Sequence, residues 1–377
     1  MSDLQNLFVT CAPGVEPFLD AEMEGMRLRK RERQVGGVSF EGGWAEIWRA
    51  NLGLRTAIRV LSRVSRFIAR DSDELYRHVM SVDWSQYLGP EATIAVRAHS
   101  RDSALDHTLF VEQRVKDAIC DQERAKTGER PSVDKSSPTL RIHAHIFRDR
   151  VTLSIDTSGD SLHRRGYREI QGRAPLSESL AAALIMSTGW DQRQPFLDPF
   201  CGSGTFLVEA AWMAMDRAPG LGRSFAFEKW PGHDERGLEI FRQKLNDRVK
   251  PLGKRVIWGG DVDRQTVEAA RHNIERAGLS ESVQVEACDA RSFSPRHGWN
   301  AQVIANPPYG ERVGEERKLG EVYEGFGAAL MEHAEGFKVS LLSGNPSLTR
   351  RLQLPNPTKW MDIMNGNLAC RLLSWEL

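Results

Sequence analysis

Apolar and polar positions change rhythm along the chain. Short apolar or alternating runs at 7–10, 37–40 and 57–64 predict strands, with Ile58, Val60 and Ser62 sharing one face of the third. Between them Pro13 and Gly14 open a helix carrying Glu16, Asp20, Glu22 and Glu24, and 44–52 is amphipathic. These elements make a small α+β unit. From Asp71 the pattern recurs in kind, with a helix at 72–80, a strand at 93–98 and a long helix at 109–126. Strands at 140–147 and 150–156 follow, joined by a tight turn at 148–150.

At Gly159 the pattern breaks, and Gly166, Gly172 and Pro175 punctuate an extended basic segment that reads as a linker. Beyond it, strands at 195–199, 256–258, 283–287, 301–305 and 338–342 alternate with helices at 205–216, 264–277 and 319–333. Two last strands, 360–364 and 368–375, flank Asn365, Gly366 and Asn367, a hairpin turn. Such alternation predicts a mostly parallel α/β sheet ending in an antiparallel hairpin.

Composition narrows the classes. With 40% hydrophobic and 27% charged residues over 377 positions, a disordered or fibrous chain is excluded and two or three domains are expected. Nothing approaches the roughly 18 apolar residues of a membrane span, and the opening residues lack a signal peptide's pattern, so a soluble, cytoplasmic protein is expected. Cys11, Cys120, Cys201, Cys288 and Cys370 are scattered without a CxxC pair, which indicates neither a disulfide framework nor a zinc ribbon. Fifty-one basic residues against fifty-one acidic leave no overall field to attract a polyanion. Contact with nucleic acid must therefore be local, and 131–173 holds eight basic groups against five acidic.

The segment 198–205, Asp-Pro-Phe-Cys-Gly-Ser-Gly-Thr, sits where a strand meets a helix, so Gly202 and Gly204 let a ligand approach the backbone and helix N-terminus closely. A P-loop fails because no Lys-Ser/Thr pair follows Gly204. A dinucleotide fingerprint fits badly, since its third glycine would fall on Leu207 and the next acidic strand end lies 57 residues past Gly204. A nucleoside with an amino-acid tail remains. It calls for an acidic residue after the second strand, met by Asp261, and a polar group after the third, met by Asp289. Each could instead be an ordinary helix or turn cap. Directly after the fourth strand, Asn306, Pro307, Pro308 and Tyr309 form a rigid turn. The Asn306 amide and the Pro307 carbonyl can converge as acceptors on an exocyclic amine while Tyr309 stacks on the base.

Together these motifs resemble class I S-adenosylmethionine-dependent methyltransferases that act on amino groups. The resemblance implies that Asp198, Cys201, Gly202, Gly204 and Thr205 surround the methionine part of the cofactor, with Cys201 a small packing residue rather than a nucleophile. It implies Asp261 at the ribose and Asp289 at the adenine. The segment 174–180, with Leu176 and Ser177, is similar to the family's motif beside the methionine carboxylate. The order of the N-terminal half and the run 152–168 resemble THUMP-containing RNA methyltransferases. That resemblance implies a ferredoxin-like domain over 1–60, a THUMP domain over 61–157, a linker over 158–175 and a methyltransferase domain over 176–377. An insertion with Phe225 and Trp230, and the extended motif 306–312, are most similar to bacterial large-subunit rRNA guanine-N2 methyltransferases. Some members carry a second methyltransferase domain, for which no sequence remains after Leu377, so only guanine-N2 transfer is expected.

The expected partner is structured RNA: 23S rRNA, or alternatively tRNA. It would be gripped by Arg141, His163, Arg164, Arg165 and Arg168, with Arg130 and Lys135 as further phosphate contacts. A protein glutamine, or a non-catalytic assembly factor that has kept the fold, are the other readings. His143 and His145 alternate on one strand without a third ligand nearby, so no metal is expected. The sequence assigns no oligomeric state.

Overall fold

The computed structural model describes residues 4–169, 176–310 and 315–377. They form two compact units: one up to Thr10 with Asp20–Leu162 and Arg223–Gln243, the other of Cys11–Leu19, His163–Gly222 and Lys244–Leu377.

In the first unit β1 (Gln5–Thr10), β2 (Glu32–Gln34), β3 (Gly37–Gly42), β4 (Arg59–Ile68), β5 (Thr93–Arg101), β6 (Ser132–Val133), β7 (Leu140–Phe147) and β8 (Arg150–Asp156) build one sheet in the order β2-β3-β1-β4-β8-β7-β5-β6. The two α+β blocks expected from sequence are thus continuous. Antiparallel pairing of β4 with β8, from Leu61 opposite Asp156 to Ile68 opposite Arg150, joins them, with an irregularity between Arg63 and Ser65. Helices α1 (Glu16–Gly25), α2 (Trp44–Gly53), α3 (Ser72–Met80) and α4 (Thr108–Thr127) accompany the sheet. Asp71 caps α3 by accepting the Asp73 and Glu74 amides, and Gly128 closes α4 at φ +83°. Along β7, Leu140, Ile142, Ala144 and Ile146 are buried while Arg141, His143, His145 and Phe147 occupy the opposite face. The β7–β8 loop is two residues, Arg148 and Asp149, both with positive φ, as a type I′ turn requires.

The second unit contains α5 (Glu178–Thr188), β9 (Phe196–Asp198), α6 (Thr205–Ala214), α7 (Glu235–Asn246, shared in sequence with the first unit), β10 (Ile257–Asp261), α8 (Arg264–Arg276), β11 (Gln284–Ala287), β12 (Gln302–Ala305), α9 (Glu315–His333), β13 (Lys338–Ser343), α10 (Pro346–Arg350), β14 (Lys359–Asn365) and β15 (Leu368–Glu376). Its sheet runs β11-β10-β9-β12-β13-β15-β14, parallel from β11 to β13 and antiparallel at β15. This is the expected Rossmann-like α/β arrangement with a terminal hairpin. Central strands β9 and β12 are buried throughout, as parallel strands covered on both faces should be. Phe293, Tyr323, Phe326, Leu330 and Phe337 fill the core against β12 and β13.

Residues 223–243, expected within the methyltransferase domain, cluster instead with the N-terminal unit. Aromatic packing accounts for it: Phe227 and Trp230 lie 5.9 and 6.3 Å from Trp44, and Trp230 lies 5.6 Å from Tyr87.

Candidate active site

Asp198, Asp261, Asp289 and Asn306 stand at the carboxyl ends of neighbouring strands, on the side where β9 is flanked by β10 and β12 and the strand order reverses. Doubly wound sheets bind ligands there. Gly202 and Gly204 adopt φ +53° and +84°, which L side chains rarely tolerate. A Cβ on Gly202 would meet nothing within 4 Å, so its backbone faces open space. Its N–H donates to Asp261 Oδ2 at 3.1 Å, and the Cys201 N–H donates to the Gly260 carbonyl at 2.9 Å. Asp261 Oδ1 accepts from the Asp263 amide at 3.0 Å, bracing the turn against the end of β10. Burial holds the Asp261 carboxyl above its usual range.

Asp198 is 1% exposed, accepts from the Phe200 amide at 3.1 Å, and is held well above the usual carboxylate range by burial, with Asp261 adding repulsion. A cation arriving beside it would relieve that penalty. Cys201 fills space left by Gly259, whose Cβ would come within 2.8 Å of the Cys201 Cβ. Burial pushes its thiol well up, which suits packing rather than nucleophilic attack.

The linker arginines do not form one RNA-facing group. Arg165 is buried with Nε 3.4 Å from Glu209 Oε1, their side chains 1% and 0% exposed. Arg168 Nη2 donates to the Leu176 carbonyl and to Thr205 Oγ1, both at 2.6 Å, and its Nε lies 3.4 Å from Glu178 Oε1. Both expectations are corrected: Glu178 and Glu209 are buried carboxylates, and these guanidinium groups compensate them. Burial raises Glu178 and Arg168 pulls it back down. Arg164 is exposed and His163 half-buried, so surface contact is compatible with their positions. Arg141 is half-buried on β7, and its Nη2 donates to the Ser136 carbonyl at 3.4 Å. Leu176 is buried, and Ser177 caps α5 by accepting the Leu180 amide. The preceding residues 170–175, and 311–312 of the extended motif, lie outside the described residues.

Asn306 follows β12 directly, and its Oδ1 accepts from the Tyr309 hydroxyl at 2.5 Å. An amide oxygen has two lone pairs, so one remains for a substrate N–H. Tyr323 donates its hydroxyl to the Pro308 carbonyl at 3.2 Å, and Asn345 donates its amide to the Tyr309 carbonyl at 3.1 Å. The Tyr309 ring packs against Gly344, where a Cβ would lie 2.8 Å from two ring carbons. One side of the ring is thus backed by Gly344, and Tyr309 as a whole is half-buried. Burial raises the phenol, keeping it a neutral donor. Arg291 engages both oxygens of Asp289, the closest at 2.6 Å, and holds its carboxyl low. A carboxylate keeps further lone pairs beside such an ion pair, and the Asp289 side chain is 30% exposed.

Sequence reasoning missed Tyr323, Gly344, Asn345 and Arg291. Asn345 followed by Pro346 was a legible helix start, whereas nothing in sequence tied Tyr323 to the turn. Among the described residues no group of three or more His, Cys, Asp or Glu could hold a metal ion, and no helix is long and apolar enough to cross a membrane.

Comparison with known proteins adds three family matches: an RMKL-like methyltransferase domain over residues 165–374, a THUMP domain over 69–156 and an RlmL ferredoxin-like domain over 6–61. A ribosomal RNA large subunit methyltransferase K/L of Pseudomonas paraeruginosa is 39% identical over 383 residues, covering 99% of this chain and 53% of its own length. The chain thus spans about half the length of the curated relatives it matches. A putative methyltransferase crystallised with SAH superposes with a TM-score of 0.91 at 30% identity, covering 100% of this chain and 99% of that one. A protein from Listeria monocytogenes described as a predicted N6-adenine-specific DNA methylase gives 0.90 at 31%, covering 100% and 97%.

Proposed function

This chain belongs to the RMKL-like methyltransferase family, and from that premise we propose that it transfers a methyl group from S-adenosylmethionine to the exocyclic N2 of a guanine in 23S ribosomal RNA. The residues present fit the cofactor: Gly202 offers its backbone to open space, and Asp198 is a buried carboxylate that a cationic ligand would relieve. When bound, the cofactor supplies an electrophilic methyl group on a positively charged sulfonium.

In this reading Asp198 and the 202–205 turn hold the methionine part, closed off by Leu176 and Ser177, and Asp261 holds the ribose hydroxyls. Guanine must leave its stack to be reached, at a cost of a few kcal/mol. The free lone pair of Asn306 Oδ1 and the Pro307 carbonyl accept its two N–H groups, which favours a pyramidal, nucleophilic nitrogen. No strong base is required, and the proton leaves to water after transfer. The N-terminal modules grip structured RNA, and the enzyme works in the cytoplasm.

The observation that carries the proposal is Asn306, fixed by Tyr309 at the end of β12, next to the strand bearing the glycine turn. Incubation with labelled S-adenosylmethionine and separate pools of unmodified large-subunit rRNA and tRNA, followed by nucleoside chromatography, tests it. N2-methylguanosine is expected from rRNA, and Asn306→Ala should abolish it while cofactor binding persists. N6-methyladenosine, product from tRNA alone, or full turnover by the variant would overturn the reading.

A further inference from the structure

The net neutrality of the chain conceals a segregated surface in the N-terminal unit. Strands β4, β8, β7 and β5, adjacent in that order, carry seven arginines and three histidines. Their single carboxylate is Asp156, buried and paired with Arg59. The pairing register sorts the outward residues into three rows across the sheet. One runs Arg63, Ser154, His143, Arg97; the next Arg66, Thr152, His145, His99; the third Ile68, Arg150, Phe147, Arg101. None of these twelve positions is acidic.

Exposure is concentrated in the second and third rows. Arg66, Arg97, His99, Arg101, His145 and Arg150 are exposed, with Ile68 and Phe147 at 55% and 39%. The rings of His99 and His145 stack at 5.6 Å with 22° between their planes. Arg63 donates its hydrogen bonds to neutral partners, the amide oxygens of Asn6 and Gln34, and lies over Phe8. Its guanidinium is drawn down to about 10, by burial first and then by the charge of Arg66. Arg101 has Asp102 beside it at 3.5 Å and Glu32 partly offsets the charge on Arg63, yet no carboxylate stands among the twelve row positions, and such a gathering of like charge marks a surface shaped for an anionic partner.

We propose that this open face of β4, β8, β7 and β5 is the surface that holds the RNA strand. The arginines neutralise phosphates, and the His99–His145 pair with Phe147 provides a stacking platform. The inference rests on the RNA reading above and goes beyond it by naming the face. Four strands at about 4.8 Å spacing span roughly 14 Å, and rows two residues apart are separated by about 7 Å. An acidic protein would meet the charge but has no use for stacked rings beside it.

The test is a salt titration of full-length chain binding to fluorescently labelled, in vitro transcribed large-subunit rRNA, comparing the unaltered protein with Arg66→Ala/Arg97→Ala/Arg150→Ala. These side chains are exposed, so the thermal midpoint and S-adenosylmethionine affinity should be unchanged. The slope of log K against log salt should flatten by about 2 to 3, at 0.7 to 0.9 per lost contact, with RNA affinity at least about tenfold weaker. The corresponding triple lysine variant should restore the slope. If the unaltered chain binds rRNA steeply and the alanine variant matches it, the sheet face is wrong and the RNA reading survives. If the unaltered chain binds no RNA, both fall; retention of poly-glutamate instead would point to a protein partner.

Discussion

Arg165→Ala discriminates between an arginine that reads RNA and one that completes a core. The guanidinium is 1% exposed and Nε lies 3.4 Å from Glu209, itself 0% exposed, with the Tyr167 hydroxyl 3.5 Å from the same carboxylate oxygen. Truncation leaves a buried carboxylate without its cation, a change that typically costs about 3–5 kcal/mol. For a cooperative unit of about 150–250 residues, at roughly 2–4 °C per kcal/mol, the thermal midpoint should fall by roughly 6–20 °C. The double change Arg165→Met with Glu209→Leu removes both charges and should restore most of that loss, because apolar replacements of buried pairs are neutral or stabilising by about 1–4 kcal/mol. Melting by circular dichroism gives the stabilities, and RNA titration of the folded proteins should show an unchanged salt slope. A variant that melts like the unaltered chain but loses RNA affinity would refute the burial argument and return Arg165 to the RNA interface.

Tyr309→Phe removes the hydrogen bond to Asn306; at about 1 kcal/mol it should lower kcat roughly fivefold with cofactor affinity unchanged, measured by single-turnover methylation. Gly344→Ala drives a methyl group into the Tyr309 ring, so it should cost about 1–3 kcal/mol of stability and lower kcat more than Tyr309→Phe does. Arg168→Lys cannot reproduce the paired bonds to Leu176 and Thr205, so the KM for S-adenosylmethionine should rise while RNA affinity holds. Asp198 has a folded pKa raised above its unfolded value of about 3.9, so its protonation stabilises the cofactor-free protein at low pH, and that contribution is lost as pH rises through the folded value. Asp198→Asn carries a permanently neutral group, so it should melt above the unaltered chain at pH 7, and the midpoint difference should shrink as pH falls towards 5. Over the same range cofactor affinity should weaken, because the cation favours the ionised carboxylate; calorimetry at both pH values checks this.

The glycine turn, Asp261 and Asn306 were legible because each is a local signal at a strand end, and adjacent parallel strands bring such ends together without further information. The α/β alternation and the β7–β8 hairpin followed from periodicity in the same way. The linker arginines were illegible for the opposite reason. Their partners Glu178 and Glu209 lie 10 to 44 residues away, and only packing reveals that those carboxylates are buried. Asp289 and Tyr309 carried suitable chemistry at strand ends, but only the fold shows Arg291 pairing with the one and Gly344 packing against the other. Strands β2 and β6, three and two residues long, are too short to show alternation.

Charge is where reading along the chain and reading across the fold diverge most. The count of fifty-one against fifty-one averages over both faces of every strand, whereas a sheet sorts alternate residues to opposite sides. In β4, Arg59, Arg63 and Arg66 fall on one side because the irregularity between Arg63 and Ser65 resets the alternation; an unbroken strand would send Arg66 and Arg63 to opposite faces. That shift aligns Arg66 with Thr152 and, through β7, with the stacked His145 and His99. The basic face therefore depends on one local departure from regular pairing. Deleting Val64 removes the extra residue and leaves Arg63, Ser65 and Arg66 in regular alternation, so Arg66 should stay opposite Thr152 and RNA affinity should be retained. A folded deletion variant that loses as much RNA affinity as Arg66→Ala does would show that position in the row is not what Arg66 needs.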